Sequence, residues 1–182
     1  MAEATTDRKV LNGLYIGDLS LSKNEDFLLR NSITHILSAL DESHPHFRDI
    51  SYLCLDLSDS PHQRIAPVFG ECIEYIHRAR ANGGAVLVHC STGVSRGPAI
   101  VAAYLLTRSS LSLDDILHAL SAVRPCSNPN HGFQRQLEDW SQQHRKKYTE
   151  RVKGWPDVKH DDEGRCSVLV SRIGVFLQLE YF

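Results

Sequence analysis

Short apolar runs alternate with longer segments of helical periodicity along this chain. Residues 33–37, 52–55 and 85–88 are short, apolar and partly β-branched, which is typical of strands. The last run is continuously apolar, as expected of a strand that is covered on both faces in a parallel sheet. We therefore predict a central sheet that contains these three segments.

The first part of the chain predicts a hairpin and a short helix. Asn12-Gly13 lies between apolar residues within 10–16, and this pair favours a tight turn because both residues tolerate positive φ. Ser22 and Glu25 have the spacing of a capping box, in which each side chain satisfies a free amide of the first helical turn. A short helix is expected to follow.

Four later segments carry apolar residues at helical spacing. Residues 65–76 lie between two predicted strands and end near Gly83-Gly84, so they predict a crossover helix. The other three segments run over 98–107, from 112 to about 123 and from 131 to about 146, the last with Asn130 as N-cap. This alternation predicts an α/β fold with a central, mostly parallel sheet of about five strands flanked by helices.

Composition limits the classes of partner. The chain has 182 residues, 42% hydrophobic and 23% charged, which is enough for one compact domain with a core. A formal charge of −2, from 20 basic and 22 acidic residues, provides no overall field that would draw it onto nucleic acid or an anionic membrane. Any recognition of phosphate is therefore expected to be local.

The chain carries no pattern for secretion or for a membrane span. The first residues lack a basic stretch followed by an apolar one, and no apolar run reaches the ~20 residues that cross a bilayer. A cytoplasmic location is expected, with the nucleus as a further location. Five cysteines without a Cys-x-x-Cys pair indicate neither a zinc site nor a disulfide framework.

The candidate chemistry lies where the buried strand meets a helix, in residues 86–98. Gly93 permits backbone conformations that other residues avoid, and Pro98 suits the first turn of a helix. The amides between them can then point at one centre, which makes an anion site reinforced by the helix dipole. Arg96 adds a planar fork that matches two phosphate oxygens.

The same electrostatic field favours the thiolate form of Cys90, because amide dipoles and a nearby cation stabilise an anion. Positive electrostatics then serves phosphate binding, activation of the sulfur and the transition state of phosphoryl transfer together. The sequence therefore predicts a nucleophilic cysteine followed by a phosphate-binding loop, whose members are Ser91, Thr92, Gly93, Val94, Ser95 and Arg96.

A leaving alkoxide or phenoxide needs a proton. Asp59 lies in the loop after the strand at 52–55, and in a parallel sheet this loop emerges at the same carboxyl edge as the Cys90 loop. Asp59 is the candidate general acid, with Asp56 as the alternative. His89 is expected to orient the loop through hydrogen bonds, and a purely structural histidine is the other interpretation.

These residues resemble the small atypical dual-specificity protein phosphatases, a branch of the cysteine-based protein tyrosine phosphatases. The resemblance covers roughly residues 9 to 145. It rests on the Cys-x5-Arg loop and on further matching segments, namely Gly13–Gly17, His89–Arg96, Ala102–Leu106, Arg124-Pro125, Pro129–Phe133 and Gln136-Leu137.

The resemblance implies the cysteine-based phosphatase fold and a phosphocysteine intermediate on Cys90. Arg96 would bind the phosphate and Asp59 would protonate the leaving group, without a metal or another cofactor. The implied substrates are phosphorylated proteins, kinases among them, that carry phosphotyrosine and phosphoserine or phosphothreonine. The loop between Cys90 and Arg96 has no lysine, whereas phosphoinositide-specific relatives place lysines there, so phosphoproteins are favoured.

Gly97 departs from the family pattern, because phosphatases of this family usually carry Ser or Thr directly after the arginine, and that hydroxyl can bond the departing cysteine sulfur. A slow hydrolysis step is a hypothesis that follows, unless Ser91, Thr92 or a water supplies the donor. The rival interpretation is a catalytically weak phosphatase-like module that binds phosphorylated partners. Hydrolysis of nucleic-acid or carbohydrate phosphates lacks support from a basic groove with interleaved aromatics.

Three regions are predicted: a flexible N-terminus at 1–8, a phosphatase domain at 9–147 and a C-terminal extension at 148–182. The extension is expected to be loosely ordered or docked, and membrane or partner docking through its basic and apolar stretches is the alternative. Stable membrane insertion is not expected. The physiological substrate, the preference between phosphotyrosine and phosphothreonine and the oligomeric state stay open.

Overall fold

A computed structural model describes residues 8–153, and their side chains as far as Arg151. Within this range the chain forms strands β1 (Lys9–Leu11), β2 (Leu14–Asp18), β3 (Ile33–Leu40), β4 (Ser51–Asp56) and β5 (Ala85–Cys90). The helices are α1 (Glu25–Arg30), α2 (Ala66–Ala81), α3 (Arg96–Arg108), α4 (Leu113–Val123) and α5 (His131–Lys153). The predicted α/β fold is confirmed.

The sheet has the strand order β1-β2-β5-β3-β4, and β1 is its antiparallel member. All six residues of β5 are buried, as its continuous apolar run predicted. Its last residue, Cys90, pairs with Asp18 of β2 on one side and with Ala39 of β3 on the other. The carboxyl ends of three parallel strands therefore meet around Cys90.

The predicted hairpin at the start of the chain is confirmed, since Leu11 pairs with Leu14 across the turn. Gly13 has a φ of 68°, whereas Asn12 is not among the residues with positive φ. The turn therefore depends on the freedom of Gly13 alone, and not on both central residues as the sequence pattern suggested.

The predicted capping box is wrong, because Asn24 and not Ser22 caps α1. The Oδ1 atom of Asn24 accepts a hydrogen bond from the amide of Phe27 at 2.9 Å. Ser22 lies in a short 3-10 turn before the helix, and its hydroxyl donates to the carbonyl of Leu19 at 2.9 Å. Because α1 begins only at Glu25, Ser22 lies two residues before its N-cap, and the Ser22 hydroxyl bonds to a neighbouring carbonyl instead of a helix amide.

Helix α3 lies at the centre of the helical layer, against α2, α4, α5 and β5. Its residues from Arg96 to Thr107 are all buried, in agreement with an apolar pattern around the whole helix. The start of α4 is also as predicted, because Ser112 and Asp115 form a capping box.

Helix α5 starts after Asn130 as predicted but continues to Lys153, past the expected end near residue 146. Arg151 forms an ion pair of 2.7 Å with Glu74 of α2, and Tyr148 packs against the main hydrophobic core. The helix passes residue 147, where the domain boundary was predicted, and the division of the chain into regions stays a prediction.

Residues 1–7 and 154–182 lie outside the described residues, and with them most of the two predicted terminal regions. Between residues 8 and 153, no helix combines the length and the apolar character needed to cross a membrane.

The packing between α2 and α5 allows a prediction for the loss of one buried side chain. Phe69 has no exposed surface, and its ring packs edge-on against Trp140 at a centroid distance of 5.7 Å. Phe69→Ala should lower the free energy of unfolding by about 3–5 kcal/mol, because a cavity replaces the ring. Urea unfolding measures the change. Leu29→Ala is the control, since Leu29 is 77% exposed and its loss should cost less than about 0.5 kcal/mol; equal losses would contradict this packing.

Candidate active site

The loop between β5 and α3 is held from outside through its carbonyl oxygens. The Ser91 carbonyl accepts a hydrogen bond from the amide of Leu19 at 3.2 Å, and the Val94 carbonyl accepts one from the amide of Asn128 at 2.7 Å. Leu19 follows β2 and Asn128 lies between α4 and α5, so two separate parts of the fold fix this loop.

Arg124, at the end of α4, holds the middle of the same loop. Its Nη2 donates to the Thr92 carbonyl at 2.8 Å, and its Nε donates to the Gly93 carbonyl at 3.0 Å. Nη2 also forms an ion pair of 3.0 Å with Asp18 at the end of β2. Arg124 is 6% exposed, and the Asp18 carboxylate balances its buried charge.

The amides of residues 92–95 point away from these outer partners. In a trans peptide the carbonyl and the following amide point to opposite sides, and no peptide bond between residues 8 and 153 is cis. The start of α3 lies beside the start of the loop, because a β-carbon on Gly97 would lie only 3.6 Å from the amide nitrogen of Cys90. That these amides bind one phosphate together stays a prediction.

Gly93 is required in this loop for two reasons. Its φ of 69° lies in the left-handed region, and a β-carbon there would lie 2.6 Å from the carbonyl oxygen of Gly17. Because Gly17 offers a backbone atom that cannot turn aside, any larger residue would displace the loop.

The Arg96 guanidinium is buried, with 4% exposure, and is fixed along one edge. Its Nη1 donates to the Leu57 carbonyl at 2.7 Å and to the Asp41 carboxylate at 3.1 Å. Its Nε is buried and has no hydrogen-bond partner among residues 8–153. A buried donor without a partner is costly, so this atom marks a position where an acceptor from a ligand is expected.

Asp41 follows β3 and was not identified from the sequence. Hydrogen bonds from Ser58 and from Arg96 lower the pKa of its carboxyl group, so Asp41 stays ionised beside the guanidinium. No sequence pattern indicated this contact, because Asp41 and Arg96 are 55 residues apart.

Asp59 and Asp56 have different surroundings. Asp59 is exposed, and its Oδ1 accepts a hydrogen bond from Nδ2 of Asn130 at 2.9 Å. The same Nδ2 lies 3.3 Å from the hydroxyl of Ser95. Asp56 instead accepts from the amide of Ser43 at 3.0 Å. Of the two aspartates, Asp59 is the one linked to the loop, and its role as general acid stays a prediction.

Cys90 ends the central strand with its side chain fully buried, and a β-carbon on Gly97 would lie 3.7 Å from its sulfur. The neighbouring His89 is also buried, and its Nδ1 lies 3.4 Å from the carbonyl oxygen of Cys90. Burial lowers the pKa of His89, which favours the neutral imidazole. The predicted orienting role of His89 stays a prediction.

Comparison with known proteins identifies the family. Residues 14–143 match the model of the dual specificity phosphatase catalytic domain. The chain is 46% identical over 132 residues to dual specificity protein phosphatase 22-A of zebrafish (Danio rerio), which is 72% of this chain and 64% of that protein, slightly under two thirds. It is 45% identical over 158 residues to dual specificity protein phosphatase 15 of mouse (Mus musculus), which is 85% of this chain and 67% of that protein.

A crystal structure of DUSP15 matches with a TM-score of 0.80 and 41% identity, covering 83% of this chain and 97% of that one. The chain therefore belongs to the dual specificity phosphatase family, and its enzyme class is that of a protein phosphatase. The resemblance inferred from the sequence is confirmed.

The bonds made by Arg124 predict the effect of a conservative change. Arg124→Lys keeps the charge, but an ammonium cannot hold three acceptors in the same planar arrangement. We expect the affinity for orthovanadate to fall about tenfold and the free energy of unfolding to fall by about 1–3 kcal/mol. Calorimetric titration and urea unfolding measure the two effects. Arg30→Lys is the control, because the Arg30 side chain is 76% exposed; the same result for both variants would argue against this role.

Proposed function

We propose that this chain hydrolyses phosphotyrosine and phosphoserine or phosphothreonine in proteins through a phosphocysteine at Cys90. The observation that carries the proposal is the buried Nε of Arg96, which has no hydrogen-bond partner among residues 8–153, beside a loop whose carbonyls are bonded outward. Asp41 balances the charge of Arg96 at its Nη1, and a phosphate oxygen would supply the acceptor that Nε lacks.

In the first step the Cys90 thiolate attacks phosphorus, and the bond from phosphorus to the leaving oxygen breaks. The amides of residues 92–95 and the Arg96 guanidinium hold the equatorial oxygens, where charge accumulates in a loose transition state. Asp59 gives its proton to the leaving oxygen, so the product departs as a neutral alcohol or phenol.

In the second step a water attacks the phosphocysteine while the Asp59 carboxylate takes its proton. The phosphorus–sulfur bond breaks, inorganic phosphate forms and the sulfur leaves as a thiolate. Asp59 is then protonated again for the next turnover. The amides and Arg96 stabilise the same distribution of charge in both steps, so one site serves both.

The substrate class rests on the charge of the loop. Between Cys90 and Arg96 the side chains are neutral, so the binding energy comes from one phosphate group and not from a multiply charged head group. This favours phosphorylated proteins, kinases among them. A cytoplasmic and nuclear location belongs to the same proposal, and cell fractionation tests it.

Replacement of the nucleophile tests the chemistry. Cys90→Ser should lower phosphate release from p-nitrophenyl phosphate on the order of 10³-fold or more, while phosphopeptide binding is retained. Wild-type activity should be inhibited by vanadate and should persist in EDTA. A fully active Cys90→Ser variant, or wild-type activity that EDTA abolishes, would refute the mechanism.

A second candidate function, capture of phosphorylated partners with little turnover, is favoured by one position. Gly97 places no hydroxyl beside the sulfur, although a β-carbon there would meet nothing closer than 3.6 Å. By the resemblance, other family members carry a hydroxyl at this position that stabilises the departing thiolate. Gly97 lacks this hydroxyl, although the space around it would accept a side chain.

Gly97→Ser should restore that donor. We expect steady-state turnover to rise roughly threefold to tenfold, since one hydrogen bond contributes about 1 kcal/mol to the slow step. Stopped-flow kinetics with p-nitrophenyl phosphate should show an initial burst in the wild type and a smaller one in the variant. Gly97→Ala is the matched control, because it adds the β-carbon without the hydroxyl. If serine and alanine give the same turnover as glycine, hydrolysis of the intermediate does not depend on this position.

A further inference from the structure

We propose that the groove between the start of α2 and the middle of α5 binds the acidic segment 157–163 of this same chain. The groove has a volume of about 550 Å³ and is called the α2–α5 groove below. Its lining comes from both helices and from the loop before α2, and includes Arg64, Gly70, Trp140, Lys147 and Tyr148. This inference does not depend on the proposed phosphatase function.

The α2–α5 groove has an aromatic surface that the two helices hold in place. Trp140 is 5% exposed, and its ring centroid lies 5.5 Å from that of Tyr148. Gly70 of α2 leaves the space that Tyr148 occupies, since a β-carbon on Gly70 would overlap the Tyr148 hydroxyl. The shape of the groove is therefore set by packing between helices and not by an exposed loop.

The α2–α5 groove also carries positive charge that the domain does not neutralise. Arg64 and Lys147 are exposed, and neither forms an ion pair with another residue whose side chain is described. His144 lies in the same lining, and Asp139 contributes a carboxylate to it. Cations therefore outnumber carboxylates, so the matching ligand is one with several carboxylates.

The segment 157–163 has this charge. It lies outside the described residues, and its sequence contains one lysine, Lys159, and four carboxylates, namely Asp157, Asp161, Asp162 and Glu163. Its excess of negative charge is complementary to the excess of positive charge in the groove. Because the segment is covalently attached to α5, its effective concentration at the groove is high and modest contacts are enough to hold it.

The chain is long enough for this contact. Helix α5 ends at Lys153, and Lys147 lies about 9 Å before that end along the helix axis. Gln136, the first residue of α5 in the lining, lies about 25 Å before it. An extended chain from Lys153 to residues 161–163 spans up to about 26–33 Å. The acidic residues can therefore reach the whole groove if the chain reverses after α5, and Gly154 and Pro156 are typical of such a turn.

The docked segment would lie beside the loop that carries Asp59. Arg64 belongs to that loop, which joins β4 to α2, and its side chain lines the groove. Gln136 lines the groove as well and accepts from the amide of Ile65 at 2.9 Å. An acidic peptide from another protein would have to displace the segment to bind at this place.

Cross-linking with a carbodiimide tests the contact in the full chain. The reagent activates a carboxylate, which then forms an amide with a lysine amine, so groups in direct contact are joined. We expect Lys147 to be joined to Asp161, Asp162 or Glu163 about fivefold more often than Lys146 is, as measured by mass spectrometry of proteolytic fragments. Lys146 is the matched control, because it is also exposed but lies outside the lining, about 100° around the helix from Lys147.

Two further comparisons separate the possible outcomes. Arg64→Glu should lower the yield of the Lys147 cross-link about threefold or more, whereas Arg135→Glu should leave it unchanged, because Arg135 is exposed on α5 outside the groove. Equal yields at Lys146 and Lys147, or equal effects of the two arginine variants, would overturn the proposal. In a mixture of ¹⁴N-labelled and ¹⁵N-labelled protein, cross-links within one chain are expected. Cross-links between light and heavy chains would assign the groove to a second copy and overturn docking within the same chain.

Discussion

The site depends on the hydrogen bonds that the rest of the fold makes to the outer side of the phosphate-binding loop. In the proposed function, several amides point at one centre, so their positive ends repel one another and lose their hydration, and the empty loop is costly to form. Donors from Leu19, Asn128 and Arg124 hold the carbonyls outward and thereby turn the intervening amides away from these donors. Under that proposal the loop is prepared for an anion before one binds.

The electrostatics of the site follow from how its two arginines are paired. Arg124 is matched by Asp18, whose side chain is 27% exposed, and it serves as support behind the loop. The partner of Arg96 is Asp41, whose side chain is 68% exposed and therefore well screened by water. More of the positive charge of Arg96 therefore stays unbalanced, at the edge where its Nε has no hydrogen-bond partner within the described part of the chain.

The residues that hold and surround this loop meet at the carboxyl edge of the sheet. Strands β2, β5 and β3 end side by side, so Asp18, Cys90 and Asp41 reach one region from three separate parts of the chain. The start of α5 adds Asn130 from a fourth part, and Gln136, six residues later, holds the loop that carries Asp59. The geometry of a catalytic loop here is a property of the whole domain and not of its own seven residues from 90 to 96.

Features that arise from local physics could be predicted before the fold was known. The apolar run before Cys90, the spacing to Arg96 and the cap at Ser112 each act within a few residues, so they could be predicted. Tertiary structure decided whatever depends on burial or on distant partners. The bonds of Arg124 to the loop span 31 and 32 residues of sequence. Such contacts leave no periodic trace, because the fold alone brings their partners within hydrogen-bond distance.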